Sequence, residues 1–119
     1  MAKLAEYKHP QDWANLVLGV LLFLSPWVLG FRPEQHASWN AWICGAVIAV
    51  LAIGALSMFQ EWEEWLNLIV GIWVVAAPWV LGFAAIMAAM WAHVVIGLLV
   101  AAAAAWEIWE VRHHPQAAA

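Results

Sequence analysis

Charge is what this chain has least of. Only 10% of its 119 residues are Asp, Glu, Lys or Arg, whereas 67% are apolar. A soluble domain this small cannot bury so much apolar surface within itself, because the ratio of interior to surface falls with size. Lipid must cover the remainder. Basic residues are scarcer still, four against eight acidic ones, which excludes a nucleic-acid-binding face. A single cysteine, Cys44, excludes an internal disulfide or a two-cysteine redox centre and reads as inert packing. No glycine-rich phosphate loop and no nucleophile paired with a base is present, so no enzymatic activity is expected.

What charge there is falls in four clusters: Lys3 to Asp12, Arg32 and Glu34, Glu61 to Glu64, and Glu107 to Arg112. The stretches between them, Trp13 to Phe31, Gln35 to Gln60 and Trp65 to Trp106, carry no charge. A bilayer core about 30 Å thick takes roughly 20 helical residues, so the first two stretches fit one span each. The third is twice too long and must fold back near Pro78 to Ala84, where proline and glycine cluster. The spans are therefore expected near 13–31, 38–59, 64–82 and 87–108. A cleaved signal peptide is the alternative for the first. Its apolar run ends in Ser25-Pro26-Trp27 instead of a small-residue cleavage site, and the segment recurs later, so a retained span is expected.

The recurrence is extensive. A shift of 52 positions lays Trp13-Ala14-Asn15-Leu16-Val17-Leu18-Gly19 on Trp65-Leu66-Asn67-Leu68-Ile69-Val70-Gly71. It also lays Ser25-Pro26-Trp27-Val28-Leu29-Gly30-Phe31 on Ala77-Pro78-Trp79-Val80-Leu81-Gly82-Phe83, and Trp39, Gly45 and Ala49 on Trp91, Gly97 and Ala101. Duplication is the economical explanation. The Ser25-Pro26-Trp27 triplet, with its second copy Ala77-Pro78-Trp79, resembles the SPW-repeat family of small prokaryotic membrane proteins, over roughly residues 10–110. Ala77 departs from the serine of the motif, so the hydroxyl is dispensable in that half. The resemblance implies an architecture and a membrane location, but no established biochemical activity.

The expected fold is an all-α membrane protein of four transmembrane helices arranged as two tandem parallel two-helix repeats. Its divisions are a cytoplasmic N-terminal segment (1–12), a first repeat (13–60), a second repeat (61–110) and a disordered tail (111–119). Each repeat has an even number of spans, so both enter from one side and the pseudo-twofold axis runs along the membrane normal. Lys3, Lys8 and Arg112 lie on the side of the termini and only Arg32 on the other, so both termini are expected in the cytoplasm, the membrane being the prokaryotic inner membrane that the resemblance implies.

Eleven tryptophans invite a cofactor reading, but their positions describe an aromatic belt. Trp13, Trp62, Trp65, Trp106 and Trp109 fall at one set of span ends, and Trp27, Trp39, Trp42, Trp79 and Trp91 at the other. Only Trp73 lies mid-span. Small residues recur every fourth position in the second helix of each repeat: Ala41, Gly45 and Ala49, then His93, Gly97, Ala101 and Ala105. Such stripes let backbones approach where lipid supplies no hydrophobic drive. Gly19 and Gly71 do the same in the first helices. Asn15 and Asn67, on the stripes that end in Pro26 and Pro78, are expected to face the interior and bond between helices. The two prolines leave the carbonyls of Leu22 and Val74 without their usual amide partners, near a helix end marked by Gly30 or Gly82.

His36, Cys44, Met87, Met90 and His93 form a thinkable soft-metal or haem set, but their spacing matches no ligand motif, so no metal and no cofactor is expected. His113 and His114 read as part of a disordered end. Glu61, Glu63, Glu64, Glu107 and Glu110 read as a solvated acidic rim. The uncharged spans disfavour a proton-coupled pump. The expected function is a non-enzymatic membrane module acting in helix–helix assembly, as a homo-oligomer or an accessory subunit of a larger membrane complex, with lipid around it. The alternative is a homo-oligomeric small channel or transporter.

Overall fold

The computed structural model describes residues 10–58 and 61–113, and they form four helices: α1 (Pro10–Val28), α2 (Gln35–Ser57), α3 (Glu61–Val80) and α4 (Met87–His113). Among the described residues there is no strand. Residues 1–9 of the expected N-terminal segment (1–12) and the tail from His114 onward lie outside the described residues, and residues 10–12 of that segment belong to α1. α4 runs through Val111 to His113, so the first part of the expected tail is helical. Arg112 and His113 occupy its last turn, where positive charge suits the helix dipole. His113 is fixed there by its Nδ1, 2.9 Å from the carbonyl of Trp109, and by stacking on that indole.

α1 and α3 begin about one turn before the charge-free stretches that the sequence delimits, and α2 begins with its own at Gln35. Pro10 opens α1 at a position that needs no amide hydrogen, and Asp12 in α1 and Glu61, Glu63 and Glu64 in α3 occupy first turns, where carboxylates suit the dipole. Helix formation therefore extends through the acidic clusters instead of stopping at them.

The two odd-numbered helices end alike. Gly30 and Gly82 adopt positive φ angles of 79° and 81°, the left-handed conformation that closes a helix. The Phe83 amide then donates to Pro78 O at 2.8 Å, and the Arg32 amide to Pro26 O at 3.0 Å, one residue further on. The Ser25 hydroxyl donates to Leu22 O at 2.7 Å. That is the carbonyl Pro26 cannot serve.

α1 packs on α2, α3 on α4, α4 on α1 and α2 on α3, in a bundle 45 × 23 × 16 Å. The length suits a bilayer with its headgroups. The interior is thin and built mostly of small side chains: Ala37, Ala41, Ala52, Ala55, Ala77, Ala89 and Ala104 are fully buried around Leu22, Ile48, Val74 and Val100. Backbones touch at the glycines. A Cβ on Gly19 would stand 2.8 Å from both Gly45 O and Ala49 N, and one on Gly71 2.8 Å from Ala101 N. Cβ atoms on Gly45 and Gly97 would meet Phe23 N at 2.6 Å and Gly71 O at 2.8 Å. The stripe of small residues drifts, however: Ala49 and Ala101 are half-buried and Ala105 is exposed, while Ala104 is buried in its place. A helix turns by 3.6 residues, so a strict four-residue step walks off the contact face within three turns.

Large apolar side chains cover the outside. Every tryptophan except Trp42 is exposed, as are Val17, Leu21, Val28, Ile43, Val50, Ile69, Ile72 and Leu98. Three helices, α2, α3 and α4, are long and apolar enough to cross a membrane. This outer surface is that of a membrane protein.

Candidate functional site

The ionisable groups of the described residues do not all face outward. Asp12, Glu64 and Glu107 are fully buried and Glu63 is 8% exposed, which corrects the solvated acidic rim read from the sequence. The reason is geometric. Asp12 and Asn15, three positions apart, share the inner face of α1, and Glu64 and Asn67 share that of α3. Glu107 stands on the inner face of α4, one turn beyond the buried Ala104.

These three acids meet. One carboxylate oxygen from each of Asp12, Glu64 and Glu107 lies within 4.8 Å of the others, and Asp12 is within hydrogen-bonding reach of both glutamates. Among the described residues no nitrogen donor reaches either oxygen of Asp12 or of Glu64. Contact between carboxyl groups away from water requires a proton or a cation between them, because the bare charges repel and have lost their hydration. The first turns of α1 and α3 supply the partial positive charge of two helix N-termini beside them.

The repeat organises the cluster. Asp12 and Glu64 stand 52 positions apart, as do Asn15 and Asn67. The counterpart of Glu107 is Ala55, buried as well. Two acids therefore come from equivalent positions and the third from one repeat only. The end of the cluster is closed by Gln11, whose Nε2 donates to Glu110 Oε1 at 3.1 Å, and Glu63 presses against Gly54, where there is no side chain to oppose it. Further out, Arg112 pairs with Glu61 at 2.8 Å and lies 5.9 Å over the Trp65 ring.

Asn15 and Asn67 are both fully buried, and neither the oxygen nor the nitrogen of either amide has a partner among the described residues. The interhelical bonds expected of them are not formed. The amides lie one turn deeper than the acids, on the same two helix faces.

The remaining residues singled out in the sequence are dispersed. Ser25, Pro26, Ala77 and Pro78 are buried, and Trp27 and Trp79 are exposed. His93 is buried between the rings of Phe31 and Phe83, with centroids at 6.4 and 4.8 Å, and its Nδ1 is 2.8 Å from Ala89 O. A carbonyl only accepts, so Nδ1 carries the hydrogen. His36 is exposed and Cys44 buried, the latter donating to Asn40 Oδ1 at 3.5 Å. Asn40 also accepts from Trp73 Nε1 at 2.9 Å, joining α2 to α3. This gives the mid-span indole a polar partner that sequence reading missed. Among the described residues only Asp12, Glu64 and Glu107 gather as three potential ligands.

A shallow apolar groove of about 600 Å³ runs between α1 and α4, lined by Trp13, Ala14, Val17, Leu18, Leu99, Ala102, Ala103 and Trp106. The family described as the SPW repeat domain matches residues 9–107. No curated protein and no solved structure matches the chain.

Proposed function

Because the chain belongs to the SPW repeat domain family, we propose that it is a non-enzymatic membrane module of four spans, two tandem parallel repeats, that acts by assembling with further transmembrane helices. The observation that carries this reading is the α1–α4 groove. Two tryptophans frame a floor of alanines in it, and small residues at a lipid-facing surface are how one helix admits another. α1, the helix outside the three that are long and apolar enough to cross a membrane, has Gln11, Asp12 and Asn15 in its first two turns, but these are turned inward, so its outer face is compatible with lipid. The partner committed to is a second copy of this chain, with incorporation as an accessory subunit of a larger complex as the variant. Both termini face the cytoplasm of a prokaryotic inner membrane.

Purification in a mild detergent followed by native mass spectrometry tests the reading. An oligomer is expected, and replacing Ala102 with tryptophan, which fills the groove, should convert it to monomer. A monomeric wild-type chain that carries no other subunit from native membranes would defeat the proposal.

A second reading, a homo-oligomeric channel or transporter, gains from one observation: ionisable groups buried in a membrane bundle are costly and mark ion pathways more often than scaffolding. Ion flux into liposomes holding the purified chain, lost on replacing Asp12 with asparagine, would put that reading first.

A further inference from the structure

We propose that a groove between α2 and α3, at the end of the bundle away from the buried acids, binds an uncharged amphiphile with a flat, carbonyl-bearing ring and an apolar tail, the chemistry of a membrane quinone. The groove has a volume of about 440 Å³ and is lined by the indoles of Trp39 on α2 and Trp73 on α3. Small-molecule sites have this size and this make-up, mostly apolar and aromatic walls with a few polar groups that fix orientation. Gln35, His36 and Asn40 supply the polar groups here, and Ile43 and Leu81 the apolar remainder.

The duplication separates such a site from an ordinary aromatic belt. Its shift of 52 positions carries Gln35, His36 and Asn40 to Met87, Ala88 and Ala92, and Trp73 to Leu21. The equivalent positions on α4 and α1 are thus apolar where these are polar, and no second indole matches Trp73. Trp39 has its counterpart in Trp91 and belongs to the belt, whereas Trp73 lies mid-span, outside it. Both indoles are held in place. Trp73 Nε1 donates to Asn40 Oδ1 at 2.9 Å, and Trp39 stands edge-on to Trp42 with centroids 5.4 Å apart. Walls fixed in advance lose little freedom when a ligand enters between them.

The order of residues along the groove sets how the ligand lies. Gln35 and His36 are exposed in the first turn of α2, and Ile43 follows His36 by two helical turns, about 10 Å nearer the middle of the membrane. The head therefore meets Gln35 and His36, and the tail runs inward past Ile43. No carboxylate, lysine or arginine lines the groove, which disfavours a charged headgroup. A primary amide and a neutral imidazole each offer both a donor and an acceptor, so they can bond the carbonyl of a quinone or the hydroxyl of its reduced form. Flat indole faces suit a ring, which they can stack against.

Calorimetric titration of the purified full chain in phospholipid nanodiscs with a short-tailed benzoquinone, against empty nanodiscs as the blank, tests the site. Saturable binding of one quinone per chain is expected, a result that requires no variant to fold. Trp73→Leu, and Gln35→Met together with His36→Ala, give these positions the residues that the other repeat already accommodates at the same places. Each of these two altered chains should bind about tenfold more weakly, and Trp91→Leu, at the other junction, should leave binding unchanged. Partition of the quinone into lipid alone, with no saturable component from the unaltered chain, would overturn the site. So would binding that survives in both altered chains. A phospholipid that co-purifies one per chain, is lost from both altered chains and is not displaced by the quinone would also overturn it, by making the groove a phospholipid site.

Discussion

Ser25 and Ala77 occupy equivalent places before a proline, and only one of them can repair what the proline removes. The Ser25 hydroxyl reaches Leu22 O at 2.7 Å; the alanine has nothing to offer Val74 O. Ser25→Ala should therefore cost about 1 kcal/mol, the net worth of one buried hydrogen bond, read as a lowered thermal midpoint in detergent. Asn67 makes the opposite case. Its amide is buried without a partner, and such a group costs about 1–3 kcal/mol. Asn67→Leu should raise the midpoint, since leucine has nearly the same shape and nothing to desolvate. A lowered midpoint would mean that the amide finds a partner in the membrane. The interior position of Asn15 and Asn67 was legible from their stripes, whereas their lack of partners was not. Partners depend on which side chains other helices present at the same depth, and no periodicity within one helix encodes that.

At the scale of the helix, contact is made by backbone and not by side chains. Gly45 packs against the Phe23 backbone closely enough that a Cβ there would stand 2.6 Å from its nitrogen. Gly45→Ala should push α1 and α2 apart and destabilise the bundle by about 1–3 kcal/mol, as overpacking does. Gly30→Ala provides the contrast. Nothing lies within 4 Å of a Cβ there, so its cost is the left-handed backbone alone, about 1–2 kcal/mol. Unfolding of both variants in a denaturing detergent titration checks the pair: substitution at Gly45 should also weaken protection of α1 amides from exchange, and substitution at Gly30 should not. The helices themselves and their glycine contacts could be read from apolar length and from the stripes. The acidic cluster could not, because a charge at the end of an apolar run reads equally as a boundary or as the first turn of the helix. Glu64 and Glu107, which the sequence assigns to a solvated rim, stand inside. The available signal was register: Asp12 and Glu64 stand three residues before Asn15 and Asn67, on the face those asparagines share.

On the scale of the whole molecule, the bundle has two unlike ends. One gathers the buried acids, Glu61 and Arg112, at the start of α1 and the end of α4; the other holds the Arg32 turn and its counterpart after Gly82. Orientation by positive charge turns on few residues, Lys3, Lys8 and Arg112 against Arg32, and short flanking segments are where that bias acts. The Arg32 turn is therefore expected outside the cytoplasm. A labelling test depends on choosing a reactive position. Ala37, within the expected Arg32–Ser38 loop, is fully buried in α2, whereas Glu34 is exposed. Glu34→Cys should accordingly react with a membrane-impermeant maleimide in intact cells, in a background where Cys44, buried and bonded to Asn40, is replaced by alanine. A cysteine in place of Ala2 should react only after the membrane is opened. The reverse pattern would invert the molecule and set the carboxylate cluster on the outer side.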